Sequence, residues 1–172
     1  MTGACRATGS THLVPILSLG ETPMADGLIT GEQLDQPTYT APLDLVFCPE
    51  SALVQITESV LPDILFGGDY PYYSSVSPTL MKHFADSAAH IIRTYGLKPG
   101  HFVVEAASND GYMLRNFKVA GIDVLGIDPA KGPAKVARDS GIPTLNTFFT
   151  HDLAVQLVAE QGRKANVFLA NN

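Results

Sequence analysis

Residues 103–114 read "VVEAASNDGYML". An apolar run ends on an acid, a short polar loop with one glycine follows, and apolar residues then resume at helical spacing. A loop between a strand and the next helix lies, in an open α/β sheet, beyond the carboxyl end of the strand, where ligands bind. Whether this loop holds a ligand, and which, turns on what surrounds it.

Downstream the pattern alternates. "HFVVEAA" reads as a buried strand and "GYMLRNFKVAG" as a helix with Leu114 and Phe117 inward. "IDVLGID" is a second strand, "PAKGPAKVARDSG" a helix, and "IPTLNTF" a third strand. "THDLAVQLVAEQG", capped by Thr150, is a helix and "ANVFLANN" a fourth strand. This spacing predicts parallel βαβ units with right-handed crossovers. A doubly wound sheet normally continues past its fourth strand, so the chain reads as a fragment of a longer protein.

Upstream, Ser77 as cap, Pro78 in the first turn and Gly96 at the end punctuate a helix. Its apolar stripe is Met81, Phe84, Ala88, Ile91, Ile92 and Tyr95. Residues 61–77, dense in Gly, Pro, Ser and Tyr, form an irregular connector. The first 57 residues carry turn residues and short apolar stretches and read as a small β-rich module. Three segments are expected: 1–57, 58–96 with the tyrosine connector and helix, and 97–172 with the sheet.

The composition, 45% hydrophobic and 16% charged, is that of a globular protein. No apolar run suits a bilayer span or a secretory signal, so a cytoplasmic protein without membrane attachment is expected. Residues 1–70 hold nine acids and one base, Arg6, within a net charge of −6. That acidity argues against nucleic acid as partner, because phosphate neutralisation needs clustered Lys and Arg.

The loop chemistry narrows the ligand. A dinucleotide loop brings pyrophosphate to glycine-packed helix amides, but here Ala107, Ser108, Asn109 and Asp110 fill the loop and only Gly111 is glycine. Asp110 repels a pyrophosphate and suits a ligand bearing an ammonium and a sulfonium. Asp128, closing the second strand, is placed to accept from both ribose hydroxyls of an adenosine. S-adenosylmethionine fits that description; an NAD(P) oxidoreductase is the weaker alternative, because the glycine fingerprint is absent. A plainer reading has Asn109 and Asp110 cap the next helix.

Eight blocks taken in order, "CRATGS", "LSLGETPMADGL", "FCPESALVQI", "FGGDYPYYSSVSPT", "VVEAASNDGYML", "VLGIDPA", "GIPTLNTFF" and "VFLANN", resemble the sugar C-methyltransferases of deoxysugar pathways. These are class I S-adenosylmethionine enzymes with an N-terminal zinc-binding module. The resemblance implies a Rossmann-like methyltransferase sheet of which the first four parallel strands are present. It implies that Glu105, Ala107, Asn109, Gly111, Asp128 and Pro129 border the cofactor. It also implies that Phe148 or Phe149 lies near the adenine, and that Asn171 stands beside the methionyl part. A nucleotide-linked keto-deoxysugar is the implied substrate, methylated on carbon through an enolate, with the general base beyond Asn172. Methylation of nitrogen or oxygen in another small molecule, or a non-catalytic binding role, is compatible with the same loop.

Two features depart from or sharpen the family pattern. The family's zinc module uses two Cys-x-x-Cys pairs, whose thiolates close a tetrahedral site. This sequence keeps Cys5 and Cys48, but Thr8 and Ser51 stand at the partner positions, and hydroxyls are poor zinc ligands. His12 is a candidate third ligand. The module is expected to fold without metal on Leu13, Ile16, Leu43, Val46, Phe47, Leu53 and Val54. In the connector, Tyr70, Tyr72 and Tyr73 could simply pin a loop to the core. The resemblance implies that this segment reaches the active site, with Tyr72 and Tyr73 contacting substrate.

Overall fold

The computed structural model describes residues 3–66 and 70–171; residues 67–69 of the expected connector lie outside the described residues. The chain divides into two compact units, Met1–Leu65 and Phe66–Asn172.

In the first unit β1 (Val14–Pro23), β2 (Thr40–Cys48) and β3 (Leu53–Ile56) form an antiparallel sheet in the order β1-β2-β3. The turn-rich sequence accounts for this: short apolar stretches separated by Gly, Pro and Asp make hairpins rather than helices. Of the apolar residues expected to support the unit, Val46 is buried, while Leu13, Leu43, Phe47 and Leu53 are half-buried. Ile16 and Val54 are exposed, at 54% and 50%. They lie on the two edge strands, which have a neighbour on one side only. A short helix, α1 (Pro62–Phe66), follows.

The second unit opens with α2 (Pro78–Thr94), where the Ser77 side chain accepts from the Leu80 N–H at 3.3 Å. Met81, Phe84, Ile91 and Ile92 pack against the core and Ala88 is fully buried. Tyr95, expected on that stripe, is 66% exposed because it sits at the cap beyond the last helical turn. Then come β4 (Phe102–Ala106), α3 (Leu114–Val119), β5 (Asp123–Ile127), α4 (Lys131–Asp139), β6 (Thr144–Leu145), α5 (His151–Gln161) and β7 (Val167–Ala170). The four strands are parallel, in the order β6-β5-β4-β7. The winding therefore reverses at β4: β5 and β6 build to one side, and β7 returns to the other. Ligand crevices form at such a reversal, beyond the carboxyl ends of the strands.

Strand alternation divides β4 between two cores. Val103 joins Leu114, Phe117, Ile122 and Val124 on the face covered by α2 and α3. Phe102 and Val104 join Ile127, with Leu153 and Leu157 of α5 packed against them. Two expected elements are shorter than their patterns. The helix expected from Gly111 begins at Leu114, because Gly111 has φ +78°, outside the helical region. The third strand shrinks to two residues at the sheet edge, and Asn146 beyond it turns its side chain to β5 instead. Among the described residues no helix is long and apolar enough to cross a membrane.

Candidate functional site

The stretch after β4 is backbone-strained and densely hydrogen-bonded. Ala107 and Asn109 hold φ +54° and +49°, a region L-residues other than glycine seldom occupy. Each such residue costs on the order of 1 kcal/mol or more, so its surroundings must hold it there. Gly111 follows with a positive φ, and a Cβ on it would meet Ile142 at 3.0–3.3 Å. No side chain caps α3, so the plainer reading of Asn109 and Asp110 as helix caps fails.

Those two side chains reach instead to the tyrosine segment. Asn109 Oδ1 accepts from the Ser74 N–H at 2.9 Å, and its Nδ2 donates to the Tyr72 carbonyl at 3.0 Å. Asp110 Oδ2 accepts from the Ser75 N–H at 3.2 Å. The loop and residues 72–75 are thus one construction. Tyr73 lies with its hydroxyl against the first turn of α4, where a Cβ on Gly132 would stand 2.5 Å from that oxygen. Tyr72 is 44% exposed. Asn109→Ala removes both bonds to this segment. It is expected to speed hydrogen exchange of the Ser74 and Ser75 amides tenfold or more, with a global loss of about 1–3 kcal/mol. Exchange unchanged at these amides would mean that other contacts hold the segment.

Asp128 stands at the end of β5, 5% exposed. Its Oδ2 accepts from the Asn109 N–H at 2.7 Å and its Oδ1 from the Ala130 N–H at 2.8 Å. Burial raises its carboxyl above the usual range, and the two amides pull it part of the way back. Asn146 donates to the carbonyls of Asp128 and Pro129 at 2.9 and 2.8 Å, fixing the turn.

Glu105 is fully buried. Asn171, just past β7, donates from Nδ2 to Glu105 Oε1 at 3.0 Å. Burial pushes the Glu105 carboxyl up to about 8, Asn171 opposes the shift, and the nearby Asp128 adds to it. Tyr112 is also buried, its ring 4.3 Å from that of Phe84, and its phenol is raised first by burial and then by Glu105. Glu105 Oε2, Asp110 Oδ1 and Ser108 Oγ are buried without a hydrogen-bond partner among the described residues. Two orphaned carboxylate oxygens at one strand end are costly in isolation. They are complementary to a ligand rich in donors and positive charge, for which Glu105 would give up the proton that burial makes it keep.

The structure therefore brings together Glu105, Ala107, Asn109, Gly111, Asp128, Pro129 and Asn171, with residues 72–75 alongside. Phe149 is 41% exposed and packs on Phe168 with centroids 4.9 Å apart. Phe168 is in register with Val104, which places that pair on the α5 face of the sheet. Phe148 is half-buried in the turn between β6 and α5. Sequence reasoning missed Tyr112, Ser108 and Asn146. Only Asn146 carried a signal, as an amide at the end of an apolar strand. A cleft of about 380 Å³ lined by Phe102, Asp123 and Arg163 lies at the opposite, amino end of the strands. Arg163 there pairs with Asp123 at 2.8 Å and stacks over Phe102, so its charge is already engaged.

In the first unit Cys5 and Cys48 are buried and converge with Thr8 and Ser51. The Ser51 hydroxyl above all, then that of Thr8, pulls the Cys5 thiol down to about 6, against burial. His12 is exposed, and among the described residues no three His, Cys, Asp or Glu side chains form a metal-sized group. Two thiols and two hydroxyls do not fit a structural zinc, whose sites are closed by four Cys or His ligands.

Comparison with known proteins adds the following. Residues 5–66 match the family model described as "Putative zinc binding domain". The chain is 33% identical over 158 residues to the C-methyltransferase NovU of Streptomyces niveus, a match covering 92% of this chain and 37% of that protein. The chain thus spans little more than a third of that relative's length. Among solved structures, a mycobacterial quinone oxidoreductase is similar at 15% identity, over 78% of this chain and 41% of that one, with a TM-score of 0.40. A mycobacterial protein complexed with NADPH is similar at 14% identity, over 87% and 45%, with a TM-score of 0.41. Scores that low carry no argument about fold or ligand.

Proposed function

From this likeness to the N-terminal part of the sugar C-methyltransferases, we propose that the chain is the cofactor-binding portion of an S-adenosylmethionine-dependent methyltransferase with a Rossmann-like class I sheet. The observation that carries the reading is the pair of buried, unpartnered carboxylate oxygens on Glu105 and Asp110 at the carboxyl end of β4. They suit the ammonium and sulfonium of this cofactor, with Glu105 releasing its proton as the cation binds.

In this reading each carboxylate oxygen of Asp128 keeps one lone pair for a ribose hydroxyl, beyond the amide it already holds. Glu105 and Asn171 face the amino-acid part, and Ala107, Asn109 and Gly111 supply the close backbone approach. Pro129 and Phe148 or Phe149 flank the adenine. Tyr72 and Tyr73 face the acceptor, a nucleotide-linked keto-deoxysugar methylated on carbon beside its ketone. The bound cofactor would supply an electrophilic methyl on sulfur. The chain's own residues bind and orient, which is where positioning and charge stabilisation enter the rate. The base that would take the acceptor's proton is assigned outside residues 1–172. A small water-soluble substrate suits a cytoplasmic enzyme.

Calorimetry on the chain with S-adenosylmethionine, S-adenosylhomocysteine and NADPH tests the reading. Saturable binding of the first two and none of the third is expected. No binding of either sulfur ligand would overturn it, and binding of NADPH alone would point to a nucleotide-binding domain of another kind. Methylation of nitrogen or oxygen instead of carbon shares this cofactor site and is separated by the product formed.

A further inference from the structure

The first unit matches a zinc-binding family model across residues 5–66, yet its four knuckle positions are cross-paired by hydrogen bonds instead of converging on a metal. Cys5, from the first knuckle, contacts Ser51 of the second, Sγ to Oγ 3.1 Å. Thr8, from the first knuckle, contacts Cys48 of the second, Oγ1 to Sγ 3.9 Å. Each surviving thiol therefore faces the hydroxyl that replaced a cysteine on the opposite turn. Both thiols are buried, Cys48 completely and Cys5 at 3% exposure, while their hydroxyl partners Thr8 and Ser51 are exposed and half-buried, respectively.

Further bonds span the turns. The side chain of Gln55 on β3, 6% exposed, brackets Cys5. Its Oε1 accepts from the Arg6 N–H at 2.9 Å, and its Nε2 donates to the Ala4 carbonyl at 3.1 Å. The Arg6 guanidinium donates to the carbonyls of Ile56 and Glu58 and to Ser59 Oγ at 3.0–3.3 Å. Ser10 Oγ donates to Glu50 Oε1 at 2.7 Å. Within the first knuckle, the Gly9 N–H bonds the Cys5 carbonyl and the Cys5 N–H the Ser10 carbonyl, both at 2.8 Å.

We propose that this unit is a metal-free descendant of a zinc knuckle, in which two cross-knuckle thiol–hydroxyl pairs and the Gln55–Arg6 clamp do the closing that zinc does elsewhere. The two substitutions complement each other. A single loss would leave three thiolates, a set that still binds zinc, whereas loss of one from each knuckle leaves two sulfurs, each paired with a hydroxyl of the opposite turn. The geometry of the old site survives, because the four side chains still point at one another.

The test uses the whole chain and does not depend on methyl transfer. Protein purified from zinc-supplemented medium is expected to carry zinc far below one per chain, and its melting temperature is expected to be the same with and without a chelator. Thr8→Cys combined with Ser51→Cys is expected to take up about one zinc per chain, with a melting temperature that then falls by roughly 5 °C or more on chelation. Stoichiometric zinc in the unaltered chain, removed by chelator with a lowered melting temperature, would overturn the proposal. So would a folded double variant that takes up no zinc, since the four positions would then not converge. Should that variant fail to fold, the zinc content and chelator response of the unaltered chain decide alone.

Discussion

Glu105→Gln is expected to make the unliganded protein more stable at pH 8 and, at the same time, a poorer ligand binder. The folded carboxyl titrates near 8 against an ordinary value of 4.5, because burial penalises its ionised form. Below pH 4.5 both folded and unfolded chains carry the proton and the group costs nothing. Between 4.5 and 8 the unfolded chain has released the proton and the folded chain keeps it. Stability therefore falls as pH rises, by about 1.4 kcal/mol per pH unit. Above 8 the loss is complete, on the order of 5 kcal/mol. Glutamine has the same shape, keeps an acceptor for Asn171 and has no charge to bury. The expected result is a pH–stability profile flattened between 5 and 8, measured by urea denaturation at a series of pH values. If a cationic ligand is what Glu105 serves, its binding to the unaltered protein at pH 7 releases a proton, visible as a buffer-dependent heat, and the glutamine variant loses both that proton and affinity. A variant with the unaltered profile would show that another group carries the pH dependence.

Asp128→Ala is the change expected to destabilise most. It strips acceptors from two amides, those of Asn109 and Ala130, that its carboxylate holds at 2.7 and 2.8 Å in a buried turn. Each orphaned amide costs about 1–3 kcal/mol, so a loss of about 2–5 kcal/mol is expected. The Asn109 amide belongs to a residue at φ +49°, so releasing it also frees the loop that anchors residues 72–75. Folded material should bind S-adenosylmethionine more weakly by a further 1–3 kcal/mol or so, as expected for a lost ribose bond. Asp128→Asn keeps one acceptor and should fall between. Denaturant midpoints separate the first effect from the second, which calorimetry reads. An unchanged midpoint would mean that water satisfies both amides.

Much of this was legible in the residues. The strand–helix alternation from "HFVVEAA" onward, the Ser77 and Thr150 caps and the inward Leu114 and Phe117 all follow from local periodicity and hydrogen-bonding chemistry, which act over a few residues. So does the suspicion that Asp128 and Glu105 end adjacent strands. The places of Tyr112 and Ser108 in the buried cluster were not legible, and Asn146 carried only a faint signal. Their importance comes from tertiary contacts, and nothing in a tyrosine directly after a loop announces that it will be buried beside an acid. The reach of Asn109 and Asp110 to the tyrosine segment was hidden for a similar reason. Local chemistry offers them a helix to cap, but the positive φ angles of Ala107, Asn109 and Gly111 turn them to a segment 35 residues upstream.

The sequence by itself determined the parallel sheet, its loop after the first strand and the hydroxyl residues Thr8 and Ser51 three positions after Cys5 and Cys48, since each is a matter of residue type at short spacing. Only the tertiary structure decided that the winding reverses at β4, that Glu105 is sealed with one oxygen unpaired among the described residues, and that the hydroxyls of Ser51 and Thr8 face the thiols of Cys5 and Cys48. Those outcomes depend on groups 35 to 66 positions apart, where burial and pairing, not local propensity, set the free energy.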